Sequence, residues 1–134
     1  MPPIGVIMTM MNKKHGEWAE PTELQTILPK INKNITSQTA YYGNKTCMKH
    51  SSAKDYDEKL ETTDDVKHWI NNCLDSGKIV IFDNSMYCYC IISTSKTTFN
   101  YLNPHTLDPS NIVKHTKMED LLKPKCIMLL AFRV

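Results

Sequence analysis

The feature that most constrains this chain is a change of apolar period at Gly77. Before it, Val66, Trp69, Ile70, Cys73 and Leu74 recur at helical spacing behind the start Thr62-Thr63-Asp64-Asp65. A hydroxyl there caps the first free N–H groups, and the acids sit at the positive end of the helix dipole. Gly77 is the expected left-handed terminator. After it come three strand-like runs: Lys78-Ile79-Val80-Ile81-Phe82, Met86 to Thr94, and Thr97 to Leu102. Asp83-Asn84-Ser85 divides the first two as a turn, and Ser95-Lys96 divides the second from the third. Connections this short leave no room for a crossover, so an antiparallel meander is the economical arrangement.

The flanks supply the other layers. Pro21 suits the first turn of a helix carrying Leu24, Ile27, Leu28 and Ile31 on one face, and Glu23, Gln25, Thr26 and Lys30 mostly on the other. Pro29 is expected to end or kink that helix near Leu28. Thr36 to Gly43, with Ala40, Tyr41 and Tyr42, reads as a short strand. Residues 44–61 are polar, with Tyr56 as the single apolar anchor, and read as a loop. After a loop from Asn103 to Asn111, Met118-Glu119-Asp120-Leu121-Leu122 makes a helical turn or two, ended by Pro124. Cys126 to Phe132 is wholly apolar, the pattern of a strand buried on both faces at the centre of a sheet. Residues 3–11 are apolar around Gly5, and read as an edge strand or as the continuation of something upstream. Two helices against a mostly antiparallel sheet define an α+β fold.

At 134 residues the chain is long enough for one domain with one core. Its net charge of +2, with lysines scattered, argues against a nucleic-acid surface. No apolar run approaches the roughly 20 residues that span a bilayer. The apolar stretch Met1 to Met11 has neither the basic start nor the small-residue cleavage site of a signal peptide. The five cysteines, Cys47, Cys73, Cys88, Cys90 and Cys126, have no metal-ligand spacing, and Cys88 and Cys90 share a strand face. An odd number dispersed through apolar segments fits reduced thiols in a cytoplasmic protein. His15, His50, His68 and His115 show no pairing at metal-ligand spacing and read as surface residues. Asn34-Ile35-Thr36 and Asn44-Lys45-Thr46 match the glycosylation triplet, a pattern common by chance.

One stretch carries the elements of proton-transfer chemistry: Phe99-Asn100-Tyr101-Leu102-Asn103-Pro104-His105-Thr106. Pro104 fixes its own φ and holds Asn103 extended, so a carboxamide and an imidazole stand close together after a strand. The Asn103 side-chain oxygen can accept a ring N–H from His105 and orient it as a general base. The same four residues also suit a plain turn. A nucleophilic thiol belongs at a helix N-terminus, and none of the five cysteines falls there. Cys73 is late in its helix, Cys88, Cys90 and Cys126 read as core residues within strands, and Cys47 lies in the loop. Trp18, ahead of its helix, either packs as a cap on the core or covers a ligand.

Two separated segments bear a family resemblance. Lys14-His15-Gly16-Glu17-Trp18 with Pro21-Thr22-Glu23-Leu24, and Tyr101-Leu102-Asn103-Pro104-His105-Thr106, resemble the autophagins. These are the autophagy-related, papain-like cysteine proteases that process ubiquitin-like modifiers. In that family the second segment reads Tyr-Leu-Asp-Pro-His-Thr, with the catalytic Asp and His. Met118 to Pro124 running into an apolar strand also resembles their C-terminal portion, and order and direction agree. The proteases of the ubiquitin-fold modifier are the nearest alternative in the same superfamily.

The resemblance covers roughly the second half of such a protease, so it implies a papain-like half-domain, incomplete or split. It implies that His105 is the general base, that Asn103 stands in the aspartate's place, and that Trp18 covers the substrate's glycine-ending tail. The family's Gly-Trp-Gly-Cys nucleophile segment does not occur in this sequence. The implied function is hydrolysis after a C-terminal glycine, with the thiol supplied by a second chain, or else binding of a ubiquitin-like protein without catalysis. Neither version calls for a cofactor or a metal.

Overall fold

The computed structural model describes residues 19–43, 48, 52–84, 88–102, 113–123 and 126–134. Its centre is the apolar strand foreseen at the C-terminal end, Cys126–Arg133, in which residues 126–131 are all buried. That strand, β7, lies between β1 (Thr36–Gly43) and β3 (Ile79–Asp83), antiparallel to both. The sheet continues through β4 (Cys88–Thr94), β5 (Thr98–Leu102) and β6 (Val113–Lys117). With β2 (Glu58–Leu60) at the far end, the order is β2-β1-β7-β3-β4-β5-β6. Among the described residues every pairing is antiparallel except β1 with β2. The fold is α+β, as the sequence indicates.

Alternation along the strands separates two apolar layers. Ala40, Val80, Phe82, Ile91, Ile127, Leu129 and Ala131 face one side, where helix α2 (Thr63–Asp75) lays Val66, Trp69, Ile70 and Cys73 on them. The short α3 (Met118–Leu121) completes this layer with Met118 and Leu121. Helix α1 (Pro21–Ile31) packs across β1 and β7. Its Gln25 meets Thr39, whose side chain points away from α2, so α1 lies on the opposite face. Tyr41, Tyr56, Cys126 and Met128 form a smaller cluster on that same face.

The ends of α2 follow the sequence rules closely. The Thr62 hydroxyl accepts from the Asp65 N–H at 3.1 Å, and the Asp65 carboxylate accepts from the Thr62 and Glu61 N–H groups. At the other end Gly77 has φ +76, while Gly77 N–H bonds to Leu74 O and Lys78 N–H to Cys73 O, both at 3.0 Å. This is a Schellman closure, which satisfies two otherwise free carbonyls.

Three expectations need correction, and one strand was not expected. Helix α1 runs through Pro29 to Ile31. Pro29 is exposed, only the bond to the carbonyl four residues back is forfeited, and buried Ile27 and Leu28 hold the last turn down. The stretch 52–61 is not all loop: a 3₁₀ turn at Ala53–Asp55 leads into β2. Tyr56 is buried against Tyr41, ring centroids 5.5 Å apart, so one aromatic anchor suffices to pin the segment. Val113–Lys117 is a strand, β6, although its polar sequence gives no apolar alternation. Finally, Cys88 is exposed and Cys90 half-buried, so only Cys126 of the three strand cysteines is a core residue.

Candidate functional site

The strand that leads to Asn103 is firmly seated. Within β5, Tyr101 pairs with Ile91 on β4 and Lys114 on β6, and Leu102 pairs with Cys90 and Val113. A chain of rings underlies it: Phe82 lies 6.3 Å from Tyr89 and 6.5 Å from Phe99, and Tyr89 lies 4.5 Å from Tyr101. Tilted aromatic contacts of this kind add to the area they bury and fix ring orientation. An extra residue, Ile92, bulges from β4 between Ile91 and Ser93 and turns outward, 42% exposed. β5 is described as far as Leu102, and the handover to the Asn-Pro-His segment lies outside the described residues. Asn103, His105 and Trp18 themselves lie outside the described residues, as does Cys47.

The described thiols can be judged directly. Cys73 is buried on α2, where its sulfur accepts from Gln38 Nε2 at 2.9 Å while Lys78 Nζ donates to Gln38 Oε1 at 2.9 Å. Burial raises its pKa, opposed by the Lys78 charge and the Gln38 hydrogen bond. Cys88 is pushed up to about 11, first by burial, then by the Asp83 carboxylate and by Cys90. Burial also raises Cys90. All three are held as protonated thiols, the opposite of what a nucleophile needs. None stands at a helix N-terminus. Among the described residues no group of three or more His, Cys, Asp or Glu could hold a metal ion.

No family model, curated protein or solved structure matches this chain.

A concave feature among the described residues lies at the opposite edge of the sheet from β5 and β6. An open groove of about 330 Å³ separates β2 from α2, lined by Glu58, Lys59, Leu60, Asp65, His68, Trp69 and Asn72. The Trp69 indole N–H donates to Glu58 Oε1 at 2.7 Å and ties the helix to the strand across it. Beside it, Asp57 Oδ2 accepts from Gln25 Nε2 and from the Thr39 N–H, both at 2.9 Å, which fixes the approach to β2 against α1 and β1. Sequence reading missed the groove because it missed β2. β2 is three residues long with only Leu60 buried, so the sequence carries no alternation from which to read it. His68 is exposed, as read from the sequence.

Proposed function

We propose that this chain is a cysteine-protease-like domain that binds a ubiquitin-like modifier. It hydrolyses the bond after the modifier's C-terminal glycine when a second chain supplies the nucleophilic thiol. The observation that carries this reading is the seating of β5, held between two antiparallel neighbours up to Leu102, immediately before Asn103-Pro104-His105. A strand locked on both sides gives the proline-restricted segment a fixed point of departure, and a general base has to be held still to act. His105 then takes the proton of the incoming thiol, with Asn103 accepting its other ring N–H. Trp18 covers the glycine-ending tail. The setting is cytoplasmic, and no cofactor is involved. Among the described residues no helix is long and apolar enough to cross a membrane.

A second reading, a pseudoenzyme that serves as inhibitor or adaptor, is favoured by the raised pKa values of Cys73, Cys88 and Cys90. One experiment separates the two. The chain is immobilised and offered a panel of ubiquitin-like modifiers, then their C-terminally extended precursors in the presence of cell extract. Retention lost in Trp18→Ala supports both readings, while cleavage lost in His105→Ala supports the protease alone. Cleavage that survives His105→Ala removes the catalytic version, and no retention of any modifier removes both.

A further inference from the structure

The sheet ends differently at its two edges. At the β6 edge the strand carries Lys114 and Lys117, charges of the kind that discourage pairing with another chain. At the other edge β2 pairs with β1 alone, so its alternate N–H and C=O groups point away from the sheet, and no described strand pairs with them. The groove lies just there. Its far wall is a stripe of α2, Asp65, His68, Trp69 and Asn72, spaced three and four residues apart so that they share one face of the helix. A strand added beside β2 would rest its inward side chains on that stripe, and Leu60 and Trp69 give the floor an apolar base.

Charge selects the occupant. From Asp55 to Asp65 the chain carries Asp55, Asp57, Glu58, Glu61, Asp64 and Asp65 against a single lysine, in a molecule whose net charge is +2. That lysine, Lys59, lines the groove beside Glu58 and is drawn to Glu61 at 3.9 Å. Glu58 and Asp65 each use their carboxylate inside the fold, toward Trp69 and toward the α2 cap, which holds both charges in place at the groove.

We propose that the β2 edge and the β2–α2 groove dock an extended, lysine- or arginine-bearing peptide segment of another protein, added to the sheet as a further strand. Main-chain bonds to β2 supply the generic attraction, and the acidic rim selects basic side chains at alternate positions. The site is independent of the β5 end of the sheet and does not rest on the reading given for it.

The probe is a blocked hexapeptide alternating lysine with valine, compared with the same peptide carrying glutamate for lysine. In a Trp18→Phe background Trp69 is the only tryptophan, and its emission reports the groove. Saturable binding of the lysine peptide is expected, with the glutamate peptide at least ~10-fold weaker and the lysine peptide weakening several-fold as salt rises tenfold. Backbone amide shifts are expected to centre on Glu58, Lys59 and Leu60. The paired substitution His68→Lys with Asn72→Lys, both at exposed positions, is expected to weaken the lysine peptide by ~10-fold with the far-UV spectrum unchanged. Equal binding of the two peptides, no binding at millimolar peptide, or indifference to the paired substitution overturns the proposal. So does concentration-dependent self-association abolished by the same substitutions, because the occupant is then a second copy of the chain.

Discussion

At the scale of single residues, the thiols show how far position overrides residue type. Cys88 is exposed as a residue, but its sulfur is the shielded part, beside Asp83 and Cys90, which pushes the thiol up to about 11. Only the thiolate reacts, and each pKa unit of increase cuts its fraction tenfold below the pKa. Against the ordinary value of 9.0, neutral-pH alkylation of Cys88 is expected to be about 100-fold slower in the folded protein than in urea. The folded-state rate is expected to keep rising with pH up to about 11, where an ordinary thiol levels off near 9. Mass mapping of iodoacetamide adducts over a pH series checks this. Equal neutral-pH rates in the folded and denatured protein would mean that neither burial nor the Asp83 carboxylate acts on the sulfur. The same comparison bears on function, since a raised thiol pKa makes proton removal by a base such as His105 less favourable.

At the scale of elements, the parts that could be read from the sequence are those whose signals are local. Helix α2 announces itself through Thr62, Asp65 and Gly77, each of which makes in the fold the bond its residue type suggests. The meander β3-β4-β5 follows from the shortness of its connections, and β7 from its unbroken apolar run. What escaped was set by partners distant in sequence. β6 is polar and exists because β5 offers it an edge, and β2 is three residues long and is fixed by β1, Tyr41 and the α2 cap. The candidate catalytic segment was legible as a motif, but its placement belongs to Asn103 and His105, outside the described residues. Pro29 is a milder case, in which burial of Ile27 and Leu28 outweighs a local breaker. Pro29→Ala restores an N–H in the last turn of α1 and relieves the ring's crowding of the preceding turn. It is expected to stabilise the protein by about 1 kcal/mol, read as a higher urea midpoint with an unchanged slope. A lower midpoint would show that the proline's restriction of the unfolded chain dominates instead.

At the scale of the whole molecule, the deciding feature is that β7 is covered on both faces while the sheet around it is covered unequally. Leu129 and Leu130 are neighbours in the chain, 0% and 1% exposed, and they point to opposite sides of the sheet. Leu129 belongs to the larger cluster under α2 and α3, whereas Leu130 faces the side on which α1 crosses β1 and β7. Away from that crossing the second face thins out: Ile79 and Leu102 are 47% and 39% exposed. If the molecule were a two-layer fold with one working core, Leu130→Ala would cost little. With a packed layer on each side, both Leu129→Ala and Leu130→Ala are expected to lose about 2–5 kcal/mol, the usual range for emptying a buried leucine site. The two losses are expected to add in the double variant only in part, because the residues share a strand backbone and each cavity lets it shift. Urea unfolding followed by far-UV circular dichroism gives all three values. A loss below about 1 kcal/mol for Leu130→Ala alone would leave α1 as a loosely attached element rather than a third layer, and β7 as the inner face of a single core.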